Sequence, residues 1–264
     1  MGNETAFSCH GDGRALYCDE LEKVNEYAYL CKDFTDEEKN ELLIILIGNT
    51  PAGGVCYLGF YNDYKGDYGR GTGIACVSLD YGLQKIVDRG TLIHEAGGHG
   101  FAKLADEYNY GSSAQISESE IENGITRRNT WGWWKNIDFT NDLSKIYWHR
   151  FIEDDRYASE SLGAYEGAWT YHYGVYRPTE TSMMKDSHSE LGFNAPSRAA
   201  IYNRIHKLAY GEDWQFDYEE FVQWDLSRPR TTTRTVVAPA EDIEPTTPPI
   251  VYNRRWENGR FVYE

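Results

Sequence analysis

The sequence predicts an α/β (α+β) fold with a twisted mixed sheet, and three observations point to it. Three short apolar runs, 42–47, 55–61 and 73–79, are each closed by Gly, Asn or Asp, the pattern of strands. Helical periodicity follows directly after the third run, in a glycine-rich stretch through His99. A second helix is signalled by Asn194-Ala195-Pro196, with a capping residue and a proline in the first turn, and it should end at Gly211.

Taken in order, Asp19–Lys32 places Leu21, Val24, Tyr27, Ala28 and Cys31 on one stripe, a helix with Asp19 as its N-cap. Leu42–Ile47 reads as a buried strand, and Val55–Tyr61 and Gly73–Leu79 as two more. The next helix should begin near Leu83 and run at least to His99. Residues 112–124 are polar and acidic and read as an exposed loop. Residues 130–177 are dense in Trp and Tyr. They are expected to form a core around Trp148, Tyr165 and Trp169, the alternative being the wall of a substrate cleft. In the helix that starts after Asn194-Ala195-Pro196 and ends at Gly211, Ile201, Tyr202, Ile205, Leu208 and Ala209 make one apolar face. The chain is Thr- and Pro-rich from Asp225 to Pro249. It finishes on two short strands flanking Asn258-Gly259, a hairpin signal. The expected division is a principal domain over 1–225 and a C-terminal segment over 226–264.

Composition excludes several function classes. The net charge is −16, from 26 Lys+Arg against 42 Asp+Glu, which argues against a nucleic-acid backbone or an anionic membrane surface as main partner. The longest wholly apolar run is six residues, Leu42–Ile47, so no membrane-spanning segment is expected. Residues 1–8 have no apolar stretch that could act as a secretory signal; the chain is expected to stay in the cell or to be a trimmed exported protein. The five cysteines form no C-x-x-C pair, which removes a zinc-thiolate reading. Cys9 and Cys18 bracket a short loop and could be bridged in an oxidising compartment, or all five could be thiols.

The chemistry is concentrated in TLIHEAGGHGFAKLADEY, residues 91–108. Two histidines on one helical face can present imidazole nitrogens to one zinc ion, and a glutamate beside the first can serve as general base towards a water. The usual spacing is i, i+4, whereas His94 and His99 are at i, i+5. A regular α-helix would turn His99 about 140° away from His94. A π-bulge at Gly97-Gly98 would restore the shared face. Helix glycines cost roughly 1 kcal/mol each against alanine, so Gly97, Gly98 and Gly100 call for a reason. A third ligand is required. Asp106 is the first candidate, with Glu107, Glu118 and Glu120 as alternatives, and Asp106 could instead orient a histidine. In an unbroken helix Asp106 would lie about 10 Å further along the axis, so the chain must turn soon after His99.

HEAGGHGFAKLADEY, with YRPTETSMMKDSHSELGFNAPSRAAIYNRIHKLAYG further on, resembles the IgA-peptidase family of zinc metalloendopeptidases, in its gut-Bacteroides branch. The likeness runs from about Glu4 to Tyr210. It implies a metzincin-like domain: twisted sheet, active-site helix, Met-turn and C-terminal helix. It implies Zn2+ held by His94 and His99, Glu95 as general base, Asp106 as the acidic position, and Ser182-Met183-Met184 as the Met-turn, with Met184 favoured over Met183. It also implies a secreted or cell-surface protein. The expected function is hydrolysis of peptide bonds in a polypeptide substrate by a monomer. Two alternatives stand beside it: a non-catalytic zinc-containing module that binds mucin or glycoprotein, and a zinc amidase on cell-wall peptides. Arg177 could meet a substrate carboxylate or pair with a surface acid, and His188 could donate to the tetrahedral intermediate.

Overall fold

Each of the three apolar runs forms a strand, and all three join one sheet. The computed structural model describes residues 6–11, 14–48, 53–60, 66–78, 89–110, 114–228, 247–257 and 260–263, with backbone alone for 253–263. The chain begins with β1 (Cys9–Gly11), β2 (Leu16–Cys18), α1 (Leu21–Tyr29) and α2 (Asp36–Lys39). The strands β3 (Leu43–Gly48), β4 (Val55–Phe60) and β5 (Thr72–Ser78) lead to α3 (Arg89–Leu92) and a π-helix, Ile93–Phe101. Then come α4 (Glu118–Trp131), α5 (His149–Ile152), a 3-10 helix (Asp155–Glu160), β6 (Tyr165–Ala168) and β7 (Tyr171–Arg177). The chain closes with α6 (Ala195–Tyr210), α7 (Tyr218–Ser227), β8 (Ile250–Glu257) and β9 (Arg260–Tyr263). Contacts group these into two units. One comprises Met1–Lys65, Arg70–Phe101 and Pro245–Glu264; the other comprises Gly66–Gly69 and Ala102–Glu244. No helix among the described residues is long and apolar enough to cross a membrane.

In the first unit the sheet order is β3-β5-β4-β8-β9. It is mixed: β3 runs parallel to β5 and β8 parallel to β4, while β4–β5 and β8–β9 are antiparallel. β5 is buried along its whole length, as a central strand covered on both faces must be. β3 corrects the expectation of a buried strand. It stands at the end of the sheet, and Ile45 and Ile47 are 44 % and 52 % exposed. α1 is likewise shorter than the stripe: it starts at Leu21, Asp19 is not its cap, and Glu20 at that position makes no side-chain cap bond. Tyr27 faces solvent while Val24 enters the core with Leu16, Tyr57, Ile74 and Tyr252. Cys9 and Cys18 are bonded across the β1–β2 register. Cys31, Cys56 and Cys76 lie outside the disulfide; burial, then the Glu95 charge, pushes the Cys76 thiol up to about 12.

The terminal hairpin is present as expected, its turn residues 258–259 lying outside the described residues. β8 continues the main sheet by pairing with β4. The break expected at 225/226 falls inside α7, and 1–225 spans both units. The predicted helix start near Leu83 also lies outside the described residues.

The second unit is built on its aromatics. Trp133, Trp134, Trp148 and Tyr157 are fully buried, and Tyr202 packs against Trp214, Phe221 and Trp224. Of the three rings expected inside, Trp148 is buried, but Tyr165 and Trp169 are only half-buried. Residues 118–131, partly read as loop, are helical. Ser117 and Glu120 form a reciprocal capping box at the N-terminus, and Gly132 closes the helix in the left-handed region at φ 72°. α6 starts within the Asn194-Ala195-Pro196 signal and stops before Gly211, as expected to within two residues, with the Asn194 side chain accepting from the Ser197 N–H. Its apolar face is corrected: Ile205 and Leu208 are exposed, while Ala200, Tyr202, Asn203 and Arg204 are buried. The rings of 214–224 gather around Tyr202 and decide which side turns inward. On α6, Arg198 bonds Glu160 at 2.6 Å and Asp225 at 2.7 Å, joining the 3-10 helix to α7.

Candidate metal centre

The π-helix packs on β5 and β3 at a distance only glycine allows. A Cβ on Gly73 would stand 2.6 Å from the Gly100 Cα, and one on Gly100 would meet Leu43 Cδ1 at 2.5 Å. Gly100 therefore has a packing reason, separate from any bending of the helix at 97–98. Gly73→Ala is expected to destabilise the fold by about 1–3 kcal/mol, read as a lower denaturant midpoint, because backbone must move to admit the methyl. An unchanged midpoint would show that strand and helix do not touch there.

The expected single bulge is instead a nine-residue π-helix, Ile93–Phe101. With i→i+5 bonding, five residues make one hydrogen-bonded turn, so His94 and His99 share a face. Their Nε2 atoms are 3.0 Å apart, with ring planes at 82°. Both side chains are without solvent exposure, as is Glu95. Glu95 is pressed over Gly54, where a Cβ would come within 2.4 Å of its Cγ and 2.8 Å of its Oε1.

The helix ends at Phe101, as the ligand argument required, and an irregular stretch brings Asp106 back. His94, His99 and Asp106, all buried and drawn from thirteen consecutive residues, each offer one donor atom within 4.8 Å of the others. This group could hold a metal ion. Two nitrogens on a tetrahedral zinc at about 2.0–2.1 Å would be about 3.3 Å apart, close to the spacing here. The donor set fits: two imidazoles and a carboxylate suit Zn2+, and suit Fe2+ as well.

The other acidic candidates are placed elsewhere. Glu118 and Glu120 lie in the first turn of α4, Glu120 as the capping-box partner of Ser117. The Glu107 carboxylate is buried and takes hydrogen bonds from Asn136 (2.9 Å), Ser182 (2.6 Å) and Asn194 (3.0 Å). Burial pushes its pKa upward, and these bonds together with the Arg177 charge oppose that rise.

Ser182-Met183-Met184 opens a tight turn: Lys185 and Asp186 N–H groups both donate to Ser182 O, and Met183 N–H donates to Gly192 O at 2.7 Å. Both methionines are buried, Met184 completely. The turn is joined to the acidic segment by the Glu107 N–H, which donates to Met184 O at 2.8 Å. Arg177 is buried and donates to the carbonyls of Glu166, Gly167 and Glu180, bracing the β6–β7 hairpin. His188 lies beside Asp186 at 3.7 Å.

Sequence reasoning missed Gly54, Gly73 and Asn136. Gly54 precedes β4 and Gly73 lies in β5, and glycines at such places carried a usable signal; a lone Asn in the aromatic stretch carried none. Comparison with protein-family models gives no match, and comparison with curated proteins gives none either.

Proposed function

We propose that the protein is a zinc-dependent metalloendopeptidase that hydrolyses peptide bonds of extracellular or host-derived proteins. The observation that carries this reading is the pair of buried imidazoles, Nε2 to Nε2 at 3.0 Å, beside a buried carboxylate. His94 and His99 would hold the metal through their facing imidazoles and Asp106 through its carboxylate. When bound, zinc supplies a Lewis acid that polarises the scissile carbonyl and brings the pKa of a water to about 7. Glu95, adjacent to His94 and steadied over Gly54, would be the general base, taking a proton from the attacking water and giving it to the leaving amine. The Met183-Met184 turn anchors the acidic segment as a metzincin-like Met-turn. A secreted or surface location is supported by the Cys9–Cys18 bridge, since disulfides persist in oxidising compartments.

A second reading, a zinc-holding module without hydrolysis, is favoured by one observation. His94, Glu95, His99 and Asp106 have no solvent exposure, whereas a catalytic metal keeps one position open. Elemental analysis and cleavage-site mass spectrometry on a proteome-derived peptide library separate the readings. Stoichiometric zinc with internal cleavage, lost on adding 1,10-phenanthroline and restored by zinc, is the expected result. Stoichiometric zinc with no cleaved peptide supports the second reading. Turnover confined to cell-wall peptides supports an amidase, and iron in place of zinc overturns the cofactor assignment.

A further inference from the structure

We propose that Glu107 is a positioning residue for Asp106, locking the acidic segment to the turn at 182–184; this rests on the metal-binding reading above. The segment is pinned at each position. Ala105 is held from both sides by Asn136, its N–H donating to Oδ1 and its carbonyl accepting from Nδ2, each at 2.8 Å. Asp106 O accepts from the Trp169 N–H at 2.9 Å, and the Glu107 N–H donates to Met184 O at 2.8 Å. The Glu107 carboxylate then closes the arrangement. Its Oε1 accepts from Asn136 and Asn194, and its Oε2 accepts from Ser182 and Asn194.

Four donated bonds from three separate parts of the chain converge on one fully buried carboxylate. Burying a charge is less favourable than burying an apolar side chain of the same size. An apolar side chain would fill this space, but it would not fix direction. The bonds fix the backbone of 105–107 to about the tolerance of a hydrogen bond. Asp106, the neighbouring residue, is then left with only its own side-chain torsions. Metal ligands depend on partners of this kind, and removing one typically costs 10–100-fold in metal affinity.

The test is zinc affinity by chelator competition, with melting of the metal-free protein measured alongside. Glu107→Gln keeps the shape but turns one acceptor into a donor facing other donors. It is expected to raise the zinc dissociation constant about 10–100-fold. Ser182→Ala removes one bond and leaves the Glu107 side chain in place; it is expected to raise that constant about tenfold, and it decides the matter if Glu107→Gln does not fold. Lower melting with wild-type zinc affinity would overturn the proposal, leaving Glu107 a scaffold residue. A wild-type chain that binds no zinc would overturn the metal-binding reading instead.

Discussion

Glu95→Gln is expected to lower kcat/KM on a cleaved peptide by roughly 10²- to 10⁴-fold, the range for losing a general base. Zinc content and melting temperature should not change. The reasoning is local. Glu95 is fully buried and packed against Gly54, and Gln has nearly the same volume, so packing survives. What is lost is a group able to accept a proton. A titration of purified variant against wild type, with zinc counted by elemental analysis, reads both quantities. Undiminished turnover in a zinc-loaded variant would remove Glu95 from the mechanism.

The second large effect is expected from His99→Ala. One of two facing imidazole nitrogens disappears, leaving His94 and Asp106 as donors. Removing a ligand should exceed the 10–100-fold loss typical of its supporting partners, so zinc affinity should fall by more than about 100-fold. Activity should fall with it. The variant also empties a buried site, so its helicity and melting are measured beside its metal content. Full zinc occupancy after dialysis would show that the i, i+5 pair does not share an ion.

Much of the local structure was legible because local physics decides it. Apolar runs and the residues that bound them locate β4 and β5 within a residue, and the Asn-Ala-Pro signal marks where α6 starts. The helix at 118–131 was not legible from periodicity, since Gly124 alone is buried along it and no apolar stripe exists. Its Ser117-x-x-Glu120 capping box was the available sign. The inward face of α6 failed for the opposite reason. Ile205 and Leu208 made a plausible stripe, but the rings at 214–224 gather on the Tyr202 side.

The metal group divides along the same line. Residue types and spacing named His94, His99 and Glu95, put Asp106 first among four acidic candidates, and required both a π-distortion and an early helix end. Those are consequences of helix pitch and ligand number, which depend on near neighbours only. Tertiary structure decided that the distortion covers nine residues, that Gly73 and Gly100 let helix and strand meet, and that Asp106 stands with the histidines. It also decided that Glu107 turns to Asn136, Ser182 and Asn194. The Glu107 bonds reach residues from 29 to 87 positions away, and the meeting of helix and strand rests on close backbone packing; no pitch or propensity encodes such contacts.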